Sequence, residues 1–397
     1  MRWQRGKSYA LLATLNFAGF LIMTCLVLSL TTFRRGLWCN ALGTDRKRIT
    51  RRNHQSRFNQ KISQMVSRRR IPDILKAEDL LFSRLNDCRL KANKERSSSH
   101  NLHLNHYSFG IIINAYAKCG DAVRAEKLLE EMERLSCSRE DLKHLRPDTV
   151  KYTSCINAWA KSKKRGSAHR AERLLRRMEQ NYYIKGDQSL KPNIKTYAAV
   201  IDAWAKNKER NPQVSGPRRA EDILGRMELR CSQGDKTVEP DIVIYNSVLN
   251  AWANHSHRER NVPQHAEAFL HRMINRYQDK KSNVIPDIYS YNILLKCWAN
   301  SRNDLATSRC EDIFKMLKSL KSVRANELHL RLNTVTYNTL LSAYLKTSNC
   351  SDYVVQRSND LLSEMMKEAN GGNVRVKPDK STFKILREIR NNNMTFK

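Results

Sequence analysis

Apolar residues recur at helical spacing through most of the chain, in two alternating patterns. The first is seen in "TVKYTSCINAWAK" from Thr149. There Tyr152, Cys155, Ile156 and Trp159 fall three and four residues apart and share one helix face. The second is "AERLLRRME" from Ala171, echoed as "AEKLLEEME" from Ala125, "AEDILGRME" from Ala220 and "AEAFLHRMI" from Ala266. A short polar link carrying Gly, Pro or Asn separates the first pattern from the second. A longer polar loop follows the second and usually ends in Pro plus Asp or Asn. Pro stops the preceding element. The Asp or Asn side chain then caps the next helix by accepting from its free backbone N–H groups.

The two patterns together form a repeating unit. The aromatics Phe109, Tyr152, Tyr197, Tyr245, Tyr291, Tyr337 and Phe383 are 43, 45, 48, 46, 46 and 46 residues apart. A steady period in this range is the signature of a solenoid, because no single helix pair can bury its own apolar stripe. The expected fold is all-α, a right-handed α-solenoid of stacked helix-turn-helix units. Six units are expected, over 106–148, 149–193, 194–241, 242–287, 288–333 and 334–379. "KAEDLLFSRL" from Lys76 reads as the second helix of a degenerate leading half-unit over 71–105, and 380–397 as a capping helix and tail. Trp159, Trp204, Trp252 and Trp298 share one place on the first helix, with Tyr116 and Tyr344 there in the outer units. At mid-helix on the apolar face they are read as core, not as stacking platforms for a ligand.

Charge narrows the partners. The formal net charge is +33, spread along the chain, which suits a polyanion: nucleic acid first, an anionic membrane second. Ten cysteines are scattered with no CxxC pair and no metal spacing with His, so neither a disulfide framework nor a zinc site is expected. Cys155 and Cys297 fall on apolar helix faces and read as small core residues in a reducing compartment.

The N-terminus is a separate matter. Residues 9–30 are nearly all apolar behind a basic start, which reads as a signal-peptide core or signal anchor over 1–33. Residues 34–70 are rich in Arg and Lys with a single acid, Asp45, and read as a disordered, transit-like segment. The pair resembles the two-part plastid targeting sequence of algae with complex plastids, with Phe33 suitably placed. A plastid is favoured. A mitochondrial signal, or a membrane anchor formed by 9–30 if uncleaved, remains open.

The repeat itself resembles the pentatricopeptide repeat family. "NTVTYNTLLSAYLK" from Asn333 is close to that family's first helix, and "AERLLRRME" followed by "KPN" matches its second helix and terminator. The resemblance runs from about Asn105 onwards. Every unit is longer than the family's repeat, with extra residues before the Pro-Asp turn that would lengthen the second helix. The resemblance implies a monomer that binds single-stranded RNA, one base per repeat. Two residues choose each base: the one after the aromatic and the last of the unit. These are Gly110 with Asp148, Thr153 with Asn193, Ala198 with Asp241, Asn246 with Asp287, Asn292 with Asn333, and Asn338 with Asp379. The resemblance further assigns Val150, Lys195, Val243, Tyr289 and Val335 to sandwiching the bases. Lys118, Lys161, Lys206 and Lys346, two residues beyond the Trp/Tyr position, would meet phosphates on the groove side; as solvated helix ends they would complement the dipole. Asp and Asn at the unit's end are explained by capping alone. Asn three times running after the aromatic is not, since Asn is a mediocre helix former.

No Gly-rich phosphate loop, HExxH motif or His/Cys cluster is present, so neither an enzyme nor a cofactor is expected. Two readings of function remain. One is a sequence-selective RNA-binding protein of an organelle, acting in transcript processing, stability or translation, with any catalysis supplied by a protein partner. The other is a helical-repeat scaffold for a protein partner.

Overall fold

The computed structural model describes residues 55–94, 105–138, 140–207, 209, 215–258, 260–301, 303–323, 330–346 and 352–395. The targeting readings of 1–33 and of 34–54 lie outside the described residues. Among the described residues there is no strand, and no helix is long and apolar enough to cross a membrane. The chain divides into two compact units, Met1–Ile112 and Ile113–Lys397.

Unit 1 contains α1 (55–67), α2 (Ile71–Lys94) and the first turns of α3 (His106–Cys119). Phe58, Ile62 and Val66 recur every fourth residue on α1 and are buried, as are Ile74, Ala77, Leu81 and Leu85 on α2. The Arg84 guanidinium lies 4.5 Å from the centre of the Phe58 ring. The segment expected to be coreless as far as residue 70 therefore carries a packed helix from 55. The leading element is a full helix pair, not a half. A three-residue apolar stripe embedded among Arg, Lys and Gln was too sparse to stand out.

In unit 2 the first helices are α5 (Thr149–Lys161), α7 (Ile194–Ala205), α9 (Ile242–His255), α11 (Ile288–Ala299), α13 (Thr334–Leu345) and α15 (Lys380–Thr395). The second helices are α4 (Ala122–Ser138), α6 (Ser167–Glu179), α8 (Gly216–Ser232), α10 (Val262–Gln278), α12 (Ala306–Val323) and α14 (Asp352–Asn370). From α5 onward, each first helix packs on the next first helix in series, and the second helices fill the notches behind them. The result is an all-α solenoid with a continuous inner layer of first helices.

The added length goes where the sequence suggests, with one refinement. Second helices α4, α8 and α10 have 17 residues, α12 has 18 and α14 has 19. Helix α6 has 13 and continues into a five-residue π-helical turn, Gln180–Ile184. Most of the loops that follow contain a short 3-10 turn. These turns bury one apolar residue each in three units: Leu190, Val238 and Val376. The Thr149 hydroxyl donates to the carbonyls of Ser189 and Lys191, and Thr334 does the same to Arg375 and Lys377, so the first residue of a unit fastens its own closing turn.

Stacking is specific as well as apolar. The four repeat tryptophans and both equivalent tyrosines are buried core residues. The indole N–H of Trp159 donates to Glu126 at 2.9 Å, that of Trp204 to Glu172 at 2.9 Å, and that of Trp252 to Glu221 at 3.2 Å; the Tyr344 hydroxyl donates to Glu311. Each acceptor is the Glu that follows the Ala or Cys of the preceding second helix. A second Glu, at the end of the "ME" pair, accepts from the next unit's repeat-register tyrosine: Glu133 from Tyr152, Glu179 from Tyr197 at 2.8 Å, Glu228 from Tyr245 at 2.6 Å. Burial and the neighbouring Glu228 carboxylate push the Tyr245 hydroxyl up to about 12, so it stays a donor.

Candidate functional site

On a first helix, the second, fifth, ninth and thirteenth residues lie on one face, because they are spaced three, four and four apart. The opposite face carries the buried aromatic and Trp. The free face therefore shows the same four places in every unit. At the second place Val150, Val243, Tyr289 and Val335 are 66%, 62%, 65% and 56% exposed, although they are apolar or aromatic, and Lys195 is exposed too. Four solvent-facing apolar side chains in one register are not a folding requirement.

The fifth place carries the residues that the sequence singles out. Asn246 Nδ2 donates to Asp287 Oδ1 at 3.3 Å, Asn292 Nδ2 to Asn333 Oδ1 at 3.2 Å, and Asn338 Nδ2 to Asp379 Oδ1 at 3.1 Å. The structure thus brings three of the six pairs into direct contact across neighbouring units. Thr153 reaches Asn193 through a relay: its hydroxyl is 2.8 Å from that of Thr196, which donates to Asn193 Oδ1 at 3.0 Å. Ala198 has no side-chain hydrogen bond to offer, and Asp241 accepts from the Ile244 N–H at 2.9 Å. Gly110 lies in the first turns of α3. Asp148 caps α5 and forms an ion pair at 2.8 Å with Lys151 Nζ. Asn193, Asp241, Asp287, Asn333 and Asp379 all accept a backbone N–H from the helix that follows, so capping and cross-unit pairing coexist in one side chain. The Thr382 backbone N–H, with the Asn338 amide and the Thr382 hydroxyl, holds the Asp379 carboxyl below its ordinary range against the desolvation that would raise it.

A third participant went unread in the sequence. The residue just before the aromatic is Ser108, Thr196, Ser290, Thr336 or Thr382 at five of the seven aromatics, and each is fully buried. Ser290 Oγ donates to Asn246 Oδ1 at 2.7 Å, and Thr382 Oγ1 to Asn338 Oδ1 at 2.8 Å. The hydroxyl fixes which way round the amide sits, with oxygen inward and NH2 toward the free face. At Asn292 that bond is missing, and its Oδ1 is buried without a partner. The recurring Ser/Thr was visible in the sequence, but only as an ordinary capping-box residue.

The lysines lie along the thirteenth place, at the ends of the first helices, and all four are exposed. Lys118 and Lys161 have no side-chain partner among the described residues. Lys206 pairs with Asp202 at 2.6 Å. Lys346 contacts the Asn300 side chain, and burial draws its ammonium below the ordinary lysine range. Among the described residues no group of three His, Cys, Asp or Glu is placed to hold a metal.

The chain belongs to the pentatricopeptide repeat family. The PPR repeat models match residues 100–133 and 335–352, and the pentatricopeptide repeat domain model matches 140–207 and 185–255. Among solved structures it is similar to the crystal structure of the pentatricopeptide repeat protein PPR10 from maize, at 17% identity, covering 81% of this chain and 45% of that one with a TM-score of 0.30. It is also similar to PPR10 in complex with an 18-nt psaJ RNA element, at 15% identity, covering 78% and 55% with a TM-score of 0.27. The chain spans about half the length of those proteins. No curated protein matches it.

Proposed function

We propose that this chain is a sequence-selective single-stranded RNA-binding protein of an organelle, reading one base per repeat in transcript processing, stability or translation. The observation that carries the proposal is the row of amides at Asn246, Asn292 and Asn338, each bonded to the last residue of its unit on an otherwise free face. Helix capping needs only the last residue. An Asn on the free face of the unit's own first helix adds a second hydrogen-bonding group at the same spot, which is what a base edge requires.

The orientation of each amide gives the preference. At Asn246 and Asn338 the oxygen is occupied by a hydroxyl, so the NH2 is the group left to meet a base carbonyl, as on uracil. At Asn292 the oxygen is buried without a partner and out of a base's reach, so the lean to cytosine there is carried over from the family's pairing of Asn with Asn. Thr153 with Asn193 resembles the family's adenine reader, and the Gly110 and Ala198 sites are permissive. The array then reads any–A–any–U–C/U–U, 5′ to 3′ from the Phe109 unit to the Tyr337 unit. The exposed apolar side chains at the second place supply stacking surface that is indifferent to base identity. The lysines supply phosphate contacts. Chemistry on the bound transcript falls to a protein partner. The organellar reading rests on the N-terminal sequence, and a plastid is favoured.

Asn246→Thr tests the reading. In this family Thr beside Asp looks guanine-directed, so RNA selected on the variant should change from U to G at that one base. The discrimination should be about 1–3 kcal/mol, by analogy with hydrogen-bonded base readout in DNA. An unchanged selected motif would mean that Asn246 is only a helix residue, and would leave the protein-scaffold reading as the better one.

A further inference from the structure

Behind the layer of first helices, α8 and α10 leave a notch of about 470 Å³ beside the 3-10 turn Lys236–Val238. Gly225, Glu228, Cys231 and Ser232 line it from α8, Tyr245 from α9 and Arg276 from α10. The preceding unit shows what such a notch holds. Counted from Ala171 and Ala220, Glu179 corresponds to Glu228, and the pair Tyr182 and Tyr183 to Cys231 and Ser232. Counted from Ala220 and Ala266, Arg230 corresponds to Arg276. The Arg230 guanidinium lies 3.8 Å from the centre of the Tyr183 ring, and the rings of Tyr182 and Tyr183 meet edge to face at 4.7 Å. Burial, then the Asp235 carboxylate, raises the pKa of the Tyr183 hydroxyl, and Tyr197 and Glu179 stand close enough to act on it too. One unit further on, Arg276, Tyr245 and Glu228 keep their places, but Ser232 puts no ring beneath the guanidinium. We infer that the notch between α8 and α10 takes an aromatic side chain, a tyrosine, from a partner polypeptide.

The inference does not depend on base reading, since none of the residues that line the notch lies on the free face of a first helix. Gly225 is a second, separate observation. It sits in the interior of α8, where glycine is among the poorest helix formers. A β-carbon built on it meets nothing within 4 Å, so packing does not require the glycine. Its counterpart Arg176 is a long side chain that lies along α6 toward Glu172. Such a side chain at 225 would lie over the notch, and glycine leaves the mouth open. Leu229 is exposed where the preceding unit has Gln180, and it gives the notch an apolar wall. Glu228 holds the Arg276 guanidinium at 3.3 Å, so the cation is in place before a ring arrives. A guanidinium over an aromatic face is attracted by the ring's quadrupole. The charges that line the notch nearly balance, Lys236, Arg276 and Lys281 against Glu228 and Glu239. That suits a neutral side chain on a polypeptide better than a nucleobase with its phosphate. The volume falls within the roughly 300–1,000 Å³ of ligand pockets.

The test uses the full chain and N-acetyl-tyrosine methylamide, a neutral probe of one residue, with N-acetyl-leucine methylamide beside it. Saturation-transfer NMR should show contact to the tyrosine ring protons, and the leucine probe should bind about tenfold more weakly, the size of one cation–π contact. Ser232→Tyr, at an exposed position, supplies the ring from the chain itself and should abolish binding of the tyrosine probe. Gly225→Arg should also block it, so misfolding of either variant leaves the other to decide. Gly225→Ala favours the helix without covering the notch, and should leave binding unchanged. Added single-stranded RNA should not displace the probe. Peptides selected on the parent from a displayed random library, and counter-selected on Ser232→Tyr, should share a tyrosine. Absence of transfer to the ring, equal binding of the two probes, or unchanged binding to the folded blocking variants overturns the inference. Displacement of the probe by RNA, or selected peptides with no common aromatic, overturns the assignment to a polypeptide partner.

Discussion

Trp204 and Glu172 offer the cleanest measure of what joins one repeat to the next. Trp204 is fully buried, and its indole N–H meets Glu172 Oε2 at 2.9 Å. Glu172 also receives Arg176 at 2.7 Å, but that side chain is 59% exposed, so the ion pair contributes little. Glu172→Ala strands a buried donor, which costs about 1–3 kcal/mol. Trp204→Phe removes the donor together with ring volume. In a double-mutant cycle the volume effect appears on both sides and cancels, which leaves the indole–carboxylate interaction at about 1–2 kcal/mol. The protein carries its own control. The Trp298 indole nitrogen is buried without a partner, while Glu267, in the matching place, pairs with Arg309. The cycle for Glu267→Ala and Trp298→Phe should close near zero. Urea unfolding followed by far-ultraviolet circular dichroism reads both cycles, since the signal does not depend on the tryptophans removed. A repeat array can unfold in stages, so the comparison uses the transition shared by all variants. Coupling below about 0.3 kcal/mol at Trp204, within ordinary additivity, or equal coupling at the two sites, refutes the argument.

Two further outcomes are expected. Replacing Lys161, Lys206 and Lys346 with Ala should flatten the log–log salt dependence of RNA binding, from about −3 to −4 for four to six phosphate contacts, and should weaken all sequences alike. Lys161 alone should account for more of the change than Lys346, which is partly desolvated against Asn300; an unchanged slope removes the lysines from the phosphate path. His255 is buried between the carbonyls of Ala251, 2.8 Å from Nδ1, and Asn207, 2.9 Å from Nε2. Desolvation, helped by the charges of Arg258 and His257, lowers its pKa below the ordinary value, against the two carbonyls that favour the cation. The unfolded chain therefore takes up the proton first, and this residue's stabilisation, full above about pH 6.5, is lost as pH falls toward the folded value. His255→Gln should remove that part of the pH dependence of the urea midpoint, and identical slopes for variant and parent across pH 7.5 to 5.5 would count against it.

The parts of the molecule that could be read in advance are those where one residue has one job at a fixed interval. The aromatic, the Trp and the capping Asp or Asn recur at a nearly constant spacing, and they gave the helix pairs, the core and the position of the Asn amides. The parts that escaped are those where two jobs share a residue or the interval breaks. Thr196, Ser290, Thr336 and Thr382 look like capping-box residues and are, but two of them also orient an amide across the unit boundary. Glu126, Glu172 and Glu221 look like solvated helix charges and instead accept buried indole N–H groups. Their fixed place after Ala was the available signal. Helix α1 escaped because its apolar stripe is only three residues deep.

The cross-unit pairs also determine what an unoccupied groove is like. Asn246, Asn292 and Asn338 already hold partners in the free protein. On the proposed reading, a base meets an amide that has one N–H engaged by its partner and keeps the other N–H to donate. A matching edge then adds a hydrogen bond to its stacking, while a mismatched edge is left with stacking alone. Discrimination of this kind needs no clash with the wrong base. At these three positions the partner residue holds the amide in place before any base arrives, so less side-chain freedom is left to lose on binding.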